Sequence, residues 1–190
     1  SIRYRWTVLV MQTLGYTVNF IDRQILVILQ EPIKADLGLS DAQLGLLTGF
    51  SFALVYVTAG IPIAWLADRS NRRNIVVASL AFWSFMTAIS GLVQNFGQLL
   101  AARLGVGVGE AGGSPPSHSM ISDYFSPSSR GTALSFYSMG IYIGVLVGFA
   151  AGGWIAENFG WRSAFFVIGI PGILYALAVL WVVKAVSYTH

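Results

Sequence analysis

Cysteine is absent from this 190-residue chain, which excludes disulfides, thiolate zinc sites, iron–sulfur clusters and cysteine nucleophiles. Charge is scarce as well: Asp, Glu, Lys and Arg make up 10% of the residues, against roughly a quarter in a soluble domain. The only lysines are Lys34 and Lys184 and there is no Walker sequence, so no direct ATP hydrolysis by this chain is expected. With His118 and His190 as the only histidines, no metal site and no metal cofactor is expected. Ser114 and His118 lack the placed acid and oxyanion donors that a serine hydrolase requires, and no enzymatic activity is expected. The net charge of +3 and pI near 9.4 do not indicate a nucleic-acid partner, because the basic residues sit at the ends of apolar runs and form no basic face.

Apolar residues are abundant, at 55% of the chain with a mean hydropathy of +0.68. They fall in runs long enough to cross a bilayer, each needing about 20 residues. The runs are too long for strands and do not alternate. The sequence predicts helices at roughly 6–30, 41–66, 74–93, 98–124, 129–156 and 163–184. Ser40-Asp41-Ala42-Gln43 reads as a capping box opening the second, and Ser126-Pro127 as the N-cap and first position of the fifth. The connectors are short, so residues 1–184 form one bundle embedded in the lipid bilayer, whereas 185–190 read as a truncation or a foreign tail. The N-terminus carries no small-residue cleavage site and does not resemble a secretory signal.

With alternating spans, Arg3, Arg5, Arg69, Arg72, Arg73, Arg130 and Lys184 share one side, against Lys34 and Arg162 on the other. This bias predicts both ends in the cytoplasm. Helices one to three and four to six read as related halves, each opening with a long, polar-marked helix. The fold class expected is an all-α membrane protein of six transmembrane helices in two three-helix repeats, an arrangement found in transporters.

Ionisable groups inside such spans cost about 2.5–3.5 kcal/mol each on insertion scales and must face protein or water. Asp22, Arg23 and Glu110 are of this kind, and Arg103 lies close enough to the outer end to snorkel. Gln12, Tyr16, Asn19 and Arg23 share one face of the first helix, with Asp22 at its edge. On the fourth, Arg103, Gly107, Glu110, Ser114 and Ser117 share another. Burial favours the neutral acid and a neighbouring arginine favours the carboxylate, so one arginine shared between two acids leaves a titratable remainder. The cluster is then either a proton or substrate site or a static pair that fixes packing. Pro115-Pro116 is expected to break the fourth helix, with Ser114 and Ser117 satisfying the freed carbonyls and His118 hydrogen-bonded nearby.

Gly107-x-Gly109-x-x-Gly112 matches a dinucleotide fingerprint only formally, since no strand precedes it. Gly105, Gly109 and Gly113 instead form a ridge for close helix packing, as do Gly140, Gly144, Gly148 and Gly152, and Gly45 with Gly49. In the turn after the second helix, Asn71 suits a left-handed conformation.

That turn, with Leu66, Ala67, Asp68, Arg69, Arg72 and Arg73, resembles the loop of the major facilitator superfamily, although Ala64 and Asn71 stand where glycines are usual. The resemblance implies a twelve-helix transporter of which this is the N-terminal half, and a cytoplasmic gating network of Asp68, Arg69, Arg72, Asp123 and Arg130. The run Arg103 to Ala111, together with Asn19 and Asp22-Arg23, is similar to the spinster-like branch, linked to export of lysophospholipids and sphingolipid phosphates. It implies proton coupling at Asp22 and Glu110 with Arg23 beside them. The fifth-helix glycines resemble an antiporter motif, with Phe149 in place of its usual proline.

The function expected is therefore secondary active transport in a bacterial inner membrane, coupled to protons and moving a small amphipathic solute such as a lysolipid or another organic anion. Tyr16, Asn19, Arg103, Ser114 and Ser117 would line its cavity. A facilitative uniporter and a non-transporting sensor or assembly subunit are the alternatives, and a lone half would need a homodimer in place of the missing C-terminal six-helix bundle.

Overall fold

The computed structural model describes residues 2–183; Lys184 and the tail 185–190 lie outside the described residues. Among these residues there are helices and no strands. In chain order they are α1 (Ile2–Ile28), α2 (Gln30–Leu37), α3 (Asp41–Gly45), α4 (Ser51–Arg69), α5 (Arg72–Ser90), α6 (Phe96–Ala111), α7 (Ser114–Tyr124), α8 (Pro127–Phe159) and α9 (Trp161–Val182), with a π-helical turn at Leu46–Phe50 joining α3 to α4. They make six rods: α1–α2, α3–α4, α5, α6–α7, α8 and α9.

Local chemistry explains most of the ends. Ser40 caps α3, its Oγ accepting from Gln43 N and the Gln43 side chain accepting from Ser40 N. Gly38, at φ 65°, closes α2 in a conformation that a side chain would strain. Asn71 is not left-handed as expected: at φ −70° and ψ 105° it is the N-cap of α5, its side chain accepting from Arg73 N. Ser126 stands at the N-cap of α8 with Pro127 following, but its hydroxyl bonds to those of Ser128 and Ser129 rather than to backbone.

The fourth rod breaks earlier than the prolines suggest. The interruption is at Gly112-Gly113, and Pro115 and Pro116 sit in the first turn of α7, where a missing N–H leaves no bond unmade. Ser117 Oγ donates to the Gly113 carbonyl at 2.7 Å, which also accepts from Ser117 N, so the expected role of this serine at carbonyls freed by the prolines is not what the structure shows.

Four rods are long and apolar enough to cross a membrane: Asp41–Arg69, Arg72–Ser90, Pro127–Phe159 and Trp161–Val182. The other two, α1 and the interrupted α6–α7, carry the buried ionisable groups. Packing follows a repeat. α1 lies on α8, α4 on α6, and α5 on α9, a pattern that maps onto itself when the first three rods are exchanged with the last three.

Glycines make the first of these contacts close. A Cβ on Gly140 would stand 2.8 Å from the Thr13 carbonyl, and one on Gly144 2.6 Å from that of Thr17, with Gly148 and Gly152 facing Gln24 and Ile25 further along α1. Gly105, Gly109 and Gly113 turn towards Met86 and Trp83 of α5. Gly45 and Gly49 differ from expectation, having no neighbouring side chain or other helix within 4 Å of a Cβ built there.

The rods alternate in direction. At one end Tyr4 meets Tyr124, Arg72 pairs with Asp123, and Arg73 Nη1 donates to the Val183 carbonyl. At the other, Arg162 reaches Asp36 and the Gly91 and Val93 carbonyls, while Lys34 pairs with Asp41. The outward faces are apolar, with Phe50, Leu54, Val57, Ile61 and Trp65 exposed along α4 and its preceding turn.

Candidate functional site

The polar face of α1 borders a cleft between the rods. Gln12, Tyr16, Asn19 and Arg23 line it, opposite Glu110 of α6 and Ser114 and Ser117 of α7. The cleft encloses about 420 Å³ of empty space, part of it open to solvent. Its far wall comes from residues that the sequence did not single out: Tyr56 on α4, Trp83 on α5, Tyr137 on α8 and Tyr175 on α9. Tyr16 stacks on Tyr137 with ring centroids 4.4 Å apart, and Tyr175 donates to the Met11 carbonyl. Ser117 Oγ also reaches Gln12 Oε1 at 2.8 Å, tying α7 to α1.

The four internal charges form two ion pairs, rather than one arginine shared by two acids. Arg23 Nε donates to Glu110 Oε2 at 2.8 Å, and Arg103 Nη1 to Asp22 Oδ1 at 3.4 Å. Each pair runs from α1 to α6. Asp22 and Glu110 are 1% exposed and Arg103 4%, so Arg103 does not snorkel to the surface. Arg103 is also absent from the wall of the cleft. Thr87 of α5 donates to Asp22 Oδ1 at 2.8 Å. That partner had a faint signal, since Ser84, Thr87 and Ser90 recur every three residues in an apolar span and all three are buried.

Arg23 is the more accessible arginine, with 31% of its side chain exposed, and the rings of Phe20, Phe52 and Tyr56 lie 5.2–5.3 Å from its Cζ. Several buried polar atoms in this region have no hydrogen-bond partner among the described residues: Asn19 Oδ1, Asp22 Oδ2, Trp83 Nε1, Arg103 Nε and Glu110 Oε1. Buried groups left open in this way are suited to a ligand or to water. His118 makes no hydrogen bond among the described residues; its ring edge meets Tyr137 at 5.0 Å.

In the Asp68 turn the structure joins Arg72 to Asp123 at 2.7 Å, but it does not gather the whole expected network. Asp68 is exposed with no ion pair among the described residues, Arg69 lies over the Trp65 ring, and Arg130 donates to the Ser122 carbonyl.

Long apolar rods that carry paired charges in their interior are those of an integral membrane protein. The Major Facilitator Superfamily profile matches residues 13–189. The chain belongs to that superfamily, whose members move small solutes.

An MFS-type efflux pump of Mycolicibacterium smegmatis is 37% identical over 181 residues, covering 95% of this chain and 42% of that protein. Protein spinster homolog 1 of Xenopus tropicalis is 32% identical over 189 residues, covering 97% of this chain and 36% of that protein. A crystal structure of a bacterial homologue of the human lysosomal transporter spinster, inward-facing and unoccupied, superposes with a TM-score of 0.92 at 40% identity, covering 100% of this chain and 45% of that one. The chain thus spans about two-fifths of the length of the relatives it matches. These relatives are transporters, not enzymes.

Proposed function

We propose that this chain is the proton-responsive half of a secondary active transporter that moves an amphipathic organic anion by alternating access. The observation that carries the reading is the Arg23–Glu110 ion pair, set inside the cleft and joining α1 to α6. Protonation of Glu110 removes the carboxylate that holds Arg23 and frees the guanidinium for an anionic group of the cargo. Asp22, held by Thr87 and Arg103, is the second acid of the couple.

Aromatic walls beside a cation suit a molecule with an apolar body and a charged head. The name of one relative, an efflux pump, supports export as the direction of transport. Arg72 with Asp123 would latch the cytoplasmic end, with both chain ends on that side of a bacterial inner membrane. Asp68, Arg69 and Arg130 would join this latch against a second six-helix bundle.

The test is transport by the whole protein in proteoliposomes with an imposed pH gradient. Glu110→Gln is expected to abolish acceleration by the gradient while counterflow of cargo persists. PH-dependent uptake identical to that of the unmodified protein would remove Glu110 from the coupling. Counterflow with no dependence on a gradient in the unmodified protein would favour a uniporter, and absence of any flux a sensor or assembly role.

A further inference from the structure

A second cavity lies beyond the ion pairs, towards the end of the bundle that carries Asp36 and Arg162. It holds about 620 Å³ of empty space, part of it open to solvent, between Arg23, Gln24 and Val27 of α1, Thr48 of the π-turn, Phe52 of α4 and Arg103 of α6. It shares one residue, Arg23, with the central cleft. Two guanidinium groups wall it and no carboxylate does, since neither Asp22 nor Glu110 is among its walls.

Arg103 is short of acceptors. A guanidinium has five N–H donors. Among the described residues this one makes a single hydrogen bond, 3.4 Å long, to an Asp22 oxygen that Thr87 already occupies at 2.8 Å. Its Nε is buried without any partner. A buried cation in this condition is costly unless another acceptor arrives, and a carboxylate or phosphate matches the planar fork of an arginine. Gln24 adds an amide donor to the same wall, and Phe52 offers an apolar surface for the remainder of a ligand.

We propose that this second cavity is an anion subsite, which holds the carboxylate or phosphate of an organic anion on Arg103 and passes it to Arg23, the residue that faces both cavities. The subsite rests on the transporter reading for its purpose, but its occupancy is measurable without transport.

The chain has no cysteine, so Thr48→Cys gives this part of the protein a single thiol in the cavity wall. The rate of its modification by a neutral maleimide is measured in the purified whole protein, with inorganic phosphate as a free anion and dodecyl phosphate as a lipid-like one. At least tenfold slowing by one of them is expected. Slowing by dodecyl phosphate alone assigns a lipid headgroup, and slowing by both assigns free anions as well. Added Arg103→Gln is expected to abolish the protection and Arg103→Lys to retain part of it.

No slowing by either probe, or protection undiminished in Arg103→Gln, overturns the subsite and leaves a cavity filled by water. The Thr48→Cys comparison alone decides the matter if Arg103→Gln fails to assemble. Flux of dodecyl phosphate is followed separately in proteoliposomes. Protection without flux refutes the transport reading and leaves the subsite standing; flux without protection does the reverse.

Discussion

Replacing Gly144 by alanine tests whether the α1–α8 contact is as tight as its geometry implies. The new methyl carbon would lie 2.6 Å from the Thr17 carbonyl oxygen and 2.7 Å from Phe20 Cβ. Carbon atoms prefer separations of about 3.5–4.0 Å, so the rods must part by roughly 0.8 Å. The oxygen belongs to helix backbone and cannot rotate aside. Overpacking of this kind costs about 1–3 kcal/mol, equivalent to a shift of about 5- to 150-fold in the unfolding equilibrium. Denaturation of the purified protein in mixed micelles reads that shift. Gly131→Ala is the matched control on the same helix, because its Cβ meets nothing within 4 Å. It is expected to raise stability by about 0.5–1 kcal/mol through helix propensity alone. The reasoning is refuted if Gly144→Ala is as stable as the parent protein, or if the two substitutions act with the same sign.

Arg162→Ala removes hydrogen bonds to Asp36 and to the Gly91 and Val93 carbonyls; faster amide exchange across residues 91–95 is expected, and unchanged exchange would show that the clamp is idle. Arg72→Ala leaves stability within about 1 kcal/mol, since exposed ion pairs contribute little, but slows flux if the pair with Asp123 is a latch; a double-mutant cycle on transport rate tells the two apart. The Lys34 pKa is raised by its hydrogen bond to Asp41. The contribution of that pair is therefore complete below the ordinary lysine pKa and is lost as pH rises through the raised value. In Asp41→Asn the lysine should titrate nearer its ordinary value, which nuclear magnetic resonance of the side chain would detect.

The rods were legible because lipid demands long uninterrupted apolar helices, and composition records that demand directly. The break in the fourth rod was misplaced for a physical reason: Pro115 and Pro116 are conspicuous, yet a first helical turn has no use for their N–H groups, and Gly112-Gly113 interrupts the helix without a comparable mark. The polar face of α1 could be read from spacing within one helix. The partner of each charge could not, because Arg103 meets Asp22 across 81 positions and Arg23 meets Glu110 across 87, distances that only the packing of α1 on α6 resolves. The tyrosines of the far wall were hidden similarly, each being ordinary in its own helix, while Thr87 showed only in its spacing with Ser84 and Ser90. Gly45 and Gly49 carried the same signal as the packed glycines, and spacing alone does not distinguish a ridge already occupied from one left open.

The two crossed ion pairs balance, with two cations against two anions. In that state the interior of the bundle carries no net charge, and the voltage across the membrane does no work on it when it moves. A proton gained by either acid makes the cluster monovalent. The same motion then draws on the membrane potential at about 2.3 kcal/mol per 100 mV for a full crossing. On the proposed coupling, a charge-balanced cluster makes the empty bundle electrically silent until it is protonated, and a bound anionic cargo restores that silence.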